Sequence, residues 1–179
     1  RRAGFGITPS ELVYYRQIGL EKTLNHLLNY ETIDNSALIT RLDDLKLKPS
    51  ERNSDLRRWW ILRMVYTSRP LEEKMVLFWH GLLTSGISTG DSLSMYQQNE
   101  LFRAKGYGSY VPLLKAISKD PAMLVWLDSR KNKKNAPNEN FSRELMELFT
   151  MGEGTFEEND VKEASRAFTG YFLVNGKYT

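Results

Sequence analysis

Four side chains in this sequence have the chemistry of an acid/base site: Glu144, His80, Asn140 and Arg143. Glu144 lies in the stretch "NAPNENFSRELMELFTMGEG" (135–154), which reads as a helix. At ~100° per residue, Phe141, Leu145, Leu148 and Phe149 share one side of that helix. Glu139, Arg143 and Glu147 fall at i, i+4 and i+8 on another side, an ion-pair ladder worth ~0.2–0.5 kcal/mol per exposed pair. Asn140 and Glu144 fall on the flank beside Leu148, so Glu144 is the acid expected to be partly buried. Burial raises a carboxyl pKa unless an arginine or hydrogen bonds hold the charge, and a general acid or base is made this way. His80 sits between Trp79 and Gly81 in an apolar helix and would be its partner. Asn140 or Arg143 would position substrate or stabilise an oxyanion. A metal version would use His80, Glu144 and either Glu147 or Asp160 as ligands.

Each of these residues also has a structural reading. A buried neutral imidazole is satisfied by one carbonyl and one carboxylate. Glu144 would be a salt-bridge partner, and Arg143 a partner of Glu139 or Glu147. Asn138 after Pro137 caps free N–H groups, and Glu139 suits the positive helix end. His26 lies on a polar-looking helix and is expected at the surface.

The elements that must position these groups are helical. Thr8-Pro9-Ser10-Glu11 is a capping box with proline at the first helical position, and that helix should stop at Gly19. A short helix follows through Leu24, Leu27 and Leu28, then "SALITRLDDLKL" (36–47) with leucines at helical spacing. The polar string Lys48–Asp55 leads into a helix carrying Leu56, Trp59, Trp60 and Met64. Ser68-Arg69-Pro70 marks a stop and a restart. The next helix has acids in its first turn and is apolar all round from Met75 to Trp79, which predicts a central, buried helix. Asp91 or Ser92 should cap a helix ending near Gly106. A short helix follows at Leu113–Ile117, and Asp120-Pro121 starts another. Thr155-Phe156-Glu157-Glu158 reads as a capping box for a helix with Val161, Ala164 and Phe168 on one face. The tail "YFLVNGKYT" has strand character, with Asn175-Gly176 as a hairpin signal. The reading is an all-α multi-helix fold of about ten short to medium helices, with a β-hairpin signal at the C-terminal end and one domain over 1–179. The two rods of residues 136–170 are expected to pack their apolar sides on the helix holding His80.

Composition narrows the function classes. The 179 residues are 41% hydrophobic, which suits a folded core. The net charge of +3, from 25 basic and 22 acidic residues, is too balanced to imply nucleic acid as a partner. There is no cysteine, hence no disulfide, thiolate metal site or thiol nucleophile. No apolar run approaches the ~18 residues of a membrane span. The chain starts at Arg1 without a signal peptide and ends just after an apparent strand, so it reads as an N-terminal portion of a longer protein. H-E-x-x-H, G-x-S-x-G and the phosphate-loop motif are missing. Gly4-Phe5-Gly6 lacks the third glycine and the preceding strand of a dinucleotide fingerprint. "DSRKNKKN" lacks the alternating acids of a calcium loop and reads as a solvated loop. Trp59, Trp60, Trp79 and Trp126 could serve as sugar-stacking platforms, but their apolar helical settings favour core packing.

Five stretches together resemble a bacterial family numbered 1800 in the domain-of-unknown-function series. They are "RRAGFGITPSEL" (1–12), "EKMVLFWHGLLTSG" (73–86), "DPAMLVWLD" (120–128), "APNENFSRELMELFTMG" (136–152) and "DVKEASRAFTGY" (160–171). The resemblance implies an exported or cell-envelope bacterial protein, longer than this chain, with an envelope protein or polysaccharide as partner. It implies no activity. Family members tend to carry a second histidine two residues after the position of His80, where this chain has Leu82. That departure speaks against a metal site built on a His-x-His pair. Two functions therefore stand side by side: a non-catalytic module for binding or assembly, which is favoured, and a hydrolase working through Glu144 and His80.

Overall fold

The structure is a computed structural model; it describes residues 2–86 and 91–171, and the backbone of 173–174 and 177–178. Contacts cluster into two compact units, residues 1–78 and 79–179.

In the first unit the local signals act as read. Thr8 accepts from the Glu11 N–H at 3.3 Å, and Glu11 accepts from the Thr8 N–H at 2.7 Å. This box opens α1, Pro9–Leu28. Gly19 breaks α1 at φ 76°, a left-handed value that glycine adopts without a Cβ penalty. The Thr23 hydroxyl donates to the Gly19 carbonyl at 2.7 Å and restarts the helix. The rings of Tyr14 and Tyr15 each meet His26 edge-on at 5.9 Å, so His26 is half-buried rather than a surface residue. No residue of α1 is buried. A short 3₁₀ turn, Tyr30–Thr32, leads to α2, Ser36–Asp44, whose Leu38 and Leu42 are buried. Next comes α3, Asn53–Tyr66, burying Leu56, Trp59 and Arg63. Asn35 ties the turn before α2 to the end of α3, accepting from the Ser68 N–H at 2.9 Å.

The helix α4, Pro70–Leu82, begins where the proline restart places it. Its expected all-round burial is corrected: Val76 is buried, but Phe78 is 54% exposed. As fully buried as Val76 is an acid, Glu73. Arg63 Nε donates to Glu73 Oε1 at 2.7 Å, and the Arg63 guanidinium lies 5.0 Å from the Trp59 ring centroid. A buried carboxylate requires such a partner.

In the second unit, Asp91 caps α5, Ser92–Lys105, by accepting from the Ser94 N–H at 2.7 Å. Then follow α6, Tyr110–Ile117, and α7, Pro121–Trp126. A 3₁₀ turn, Ser129–Lys131, leads to α8, Asn140–Glu144, which passes directly into a π-helical segment, Leu145–Thr150. Last comes α9, Glu158–Ala167. Its start differs from the expected box: Asp160 accepts from the Glu157 N–H at 2.8 Å, while Thr155 donates back to the Gly152 carbonyl. The core holds Leu83, Phe102, Leu113, Met123, Phe141 and Val161. Trp126 is 36% exposed and does not join it. Of the C-terminal hairpin signal, the Asn175-Gly176 turn lies outside the described residues. The flanking backbone pairs antiparallel over two rungs, Leu173 with Tyr178 and Val174 with Lys177. That pairing is too short to make a sheet layer, and the fold class is all-α.

Candidate functional site

The flank proposed for chemistry lies where α8 widens into the π segment. Asn138 opens α8 by accepting from the Asn140 N–H at 3.2 Å, as its capping reading requires. From Leu145 on, each turn is wider. The Met146 carbonyl accepts from the Met151 N–H at 2.7 Å, an i to i+5 bond, and the Leu145 carbonyl accepts from the Thr150 hydroxyl at 2.6 Å. This shifts the angular phase of everything after Glu144. Phe141 and Phe149 stay buried, while Leu148 swings out to 59% exposure.

The ion-pair ladder changes with it. Arg143 bonds Glu139 at 3.0 Å as expected, but its second partner is Glu158 on α9, at 2.5 and 3.0 Å, in place of Glu147. The doubly bridged guanidinium holds its proton more tightly than usual, chiefly through Glu158, and Glu158 is correspondingly held below its ordinary pKa by Arg143. Phe141 meets Phe168 edge-on at 5.1 Å, completing the seam between α8 and α9.

Asn140 is exposed and Glu144 is half-buried. The Glu144 carboxylate has no hydrogen-bond or ion-pair partner among the described residues. His80, on the last turn of α4, is half-buried and packs edge-on against Phe102, with ring centroids 6.5 Å apart. Burial pushes its pKa down, favouring neutral imidazole. The α8–π rod reaches the α4 end through Tyr110: its hydroxyl donates to the Phe149 carbonyl at 2.6 Å, and its ring stacks on Trp79 at 5.5 Å. No hydrogen bond or ion pair joins Glu144 to His80 or to Arg143 among the described residues. Among the described residues no three His, Asp or Glu side chains gather as a metal ion would need.

The polar cluster that sequence reading missed lies under α7. The Ser85 hydroxyl donates to Gln98 Oε1 at 2.5 Å, and Gln98 Nε2 donates to Asp120 Oδ1 at 2.7 Å. Asp120 Oδ1 also accepts from the Met123 N–H at 3.0 Å, the cap that the Asp-Pro signal foretold. All three side chains are buried. Burial raises the Asp120 pKa to about 6 against its hydrogen bonds. The order hydroxyl, middle group, carboxylate is that of a nucleophilic triad, but an amide in the middle cannot take the serine proton. The chemistry of this cluster is therefore support: it fixes Ser85 and the start of α7. Gly86 follows closely, where a Cβ would come within 2.7 Å of the Trp126 ring. Only Asp120 carried a sequence signal, and that signal was for a helix cap.

What the geometry defines is a mostly helical protein whose Arg143 joins α8 to α9 through Glu139 and Glu158. The chain matches, over residues 1–179, the family model described as "Protein of unknown function (DUF1800)", and it belongs to that family. Neither the curated proteins nor the solved structures include a match to it. No helix among the described residues is long and apolar enough to cross a membrane.

Proposed function

We propose that this chain is a non-catalytic helical module of an exported bacterial protein, acting by binding or assembly at the cell envelope. One observation carries the reading: among the described residues Glu144 has no hydrogen-bond or ion-pair partner, while Arg143 is engaged by Glu139 and Glu158. General acid/base chemistry needs the acid and its partner within ~3 Å or one water of a shared substrate atom. The envelope location and the class of partner, an envelope protein or polysaccharide, rest on the family resemblance. The test is sedimentation of the purified chain with washed envelope fragments, beside a panel of ester, glycoside and amide substrates. Wild type and Glu144→Gln should sediment equally, with no turnover of the panel. Turnover that disappears in Glu144→Gln would overturn the reading.

The competing reading is a hydrolase with Glu144 as acid or base, His80 as its partner, and Asn140 or Arg143 as positioning groups. One feature favours it: Glu144 is the last residue before the π segment, and π segments occur frequently at functional sites.

A further inference from the structure

The first unit contains a cleft between α2 and α3 of about 680 Å³. That lies within the ~300–1,000 Å³ usual for small-ligand sites. Its walls follow from helical spacing. Ala37, Arg41 and Leu45 recur every fourth residue along α2, with Thr40 and Asp44 beside them; Arg58, Leu62 and Tyr66 do the same along α3. The buried Leu38, Leu42, Leu56 and Trp59 lie on the flanks next to these stripes, roughly a quarter to a third of a turn away, so the stripes themselves line the opening.

Two unpaired arginines, one on each helix, line this cleft, as several surface arginines elsewhere among the described residues are also unpaired. Arg63, Arg69, Arg103, Arg143 and Arg166 each pair with a carboxylate. Neither Arg41 nor Arg58 has a hydrogen-bond or ion-pair partner among the described residues, although Asp44 lines the same cleft. Arg41 rests over the Tyr66 ring, 4.0 Å from its centroid. A guanidinium held on an aromatic face keeps its in-plane N–H donors free, and the fork of those donors matches a carboxylate. Thr40 adds a hydroxyl, Leu62 an apolar floor, and Asp44 an acceptor with no bound donor.

We infer that this cleft binds a carboxylated oligosaccharide. The two guanidinium groups take the sugar carboxylate, Asp44 and Thr40 take ring hydroxyls, and Leu62 with the edge of Tyr66 faces the C–H surface of the sugar. Asp44 repels any anion, but an inorganic phosphate would use only the arginines and would offer neither donor hydroxyls that Asp44 could bind nor a C–H face to Leu62 and Tyr66. The carboxylate-plus-hydroxyl combination therefore fits the mixed lining better than a bare anion. This inference gives the binding reading a ligand class and rests on that reading.

The probe is trigalacturonate, titrated into the ¹⁵N-labelled chain and followed by amide shifts. Its methyl ester and inorganic phosphate serve as comparisons. The expected result is saturable shifts confined to α2 and α3, with no saturation by the ester. Arg41→Gln and Arg58→Gln should each weaken binding about tenfold, the loss of one charged hydrogen-bonding group. Asp44→Asn should strengthen phosphate more than trigalacturonate, because both anions lose a repulsion but only the sugar also exchanges a charged hydroxyl acceptor for a neutral one. Both arginines are exposed, and unchanged circular dichroism verifies that the variants fold. Equal binding of ester and acid, tighter binding of phosphate than of sugar, or no saturation by any probe would each overturn the inference. Sedimentation with envelope fragments that persists in such a case would show that the binding reading survives without this ligand.

Discussion

Asp120→Asn is the most informative perturbation of the buried cluster. The Asp120 carboxyl moves from 3.8 when unfolded to about 6 when folded, because burial outweighs the bonds from Met123, Gln98 and Ala122. A folded pKa above the unfolded one means the native state binds the proton more tightly. Stability from this group is complete below the unfolded value and is lost as pH rises through about 6. The gap between 3.8 and about 6 corresponds to roughly 3 kcal/mol. Asparagine keeps an oxygen for the Gln98 and Met123 donors but carries no charge at any pH. It also loses an acceptor for the Ala122 N–H, a cost that does not depend on pH. The readout is therefore a difference of differences: unfolding free energies of wild type and variant in urea, at about pH 3.5 and about pH 7.5, where the titration lies between the two conditions. Wild type should lose roughly 3 kcal/mol relative to the variant across that interval. Parallel pH profiles, agreeing within about 0.5 kcal/mol, the usual scatter for independent sites, would refute the claim that Asp120 is a buried acid.

Three further substitutions test the packing that holds the polar groups. Glu73→Ala removes the acid paired with buried Arg63 and should destabilise the chain by roughly 3–5 kcal/mol in urea unfolding, whereas a loss below about 1 kcal/mol would show the pair to be solvated. Gly106→Ala drives a Cβ into the Phe102 carbonyl and to 2.5 Å from the Trp79 ring, so a loss of roughly 1–3 kcal/mol is expected, with changed tryptophan fluorescence. The Ser142 hydroxyl is buried with no hydrogen-bond partner among the described residues, so Ser142→Ala should raise stability by about 1 kcal/mol; a loss of that size would mean the hydroxyl is bonded.

Much of the fold was legible because its signals are local. Thr8, Asp91 and Asp120 cap helices by reaching N–H groups three residues on, and Gly19 and Pro70 break and restart the chain where read. The seam between α8 and α9 was less legible. Uniform 100° steps placed Leu148 inside and Glu147 beside Arg143, but i to i+5 bonding from Leu145 on undoes both placements. Nothing in the letters "LMELFT" marks that change of period. Glu73 shows a different limit: an acid in a first turn reads as a dipole complement, and only the Arg63 side chain ten residues earlier makes it a buried partner. The Ser85–Gln98–Asp120 cluster joins residues 13 and 22 positions apart, and such pairings follow from helix packing rather than from spacing.

The central claim is that the acid and the imidazole favoured for catalysis do not act on one another. An NMR titration of the His80 ring in wild type and in Glu144→Gln tests it directly. Burial pushes the His80 pKa down and Glu144 contributes nothing to it, so the account predicts the same midpoint in both proteins. A midpoint that drops when the carboxylate is neutralised would place Glu144 beside His80 and contradict it.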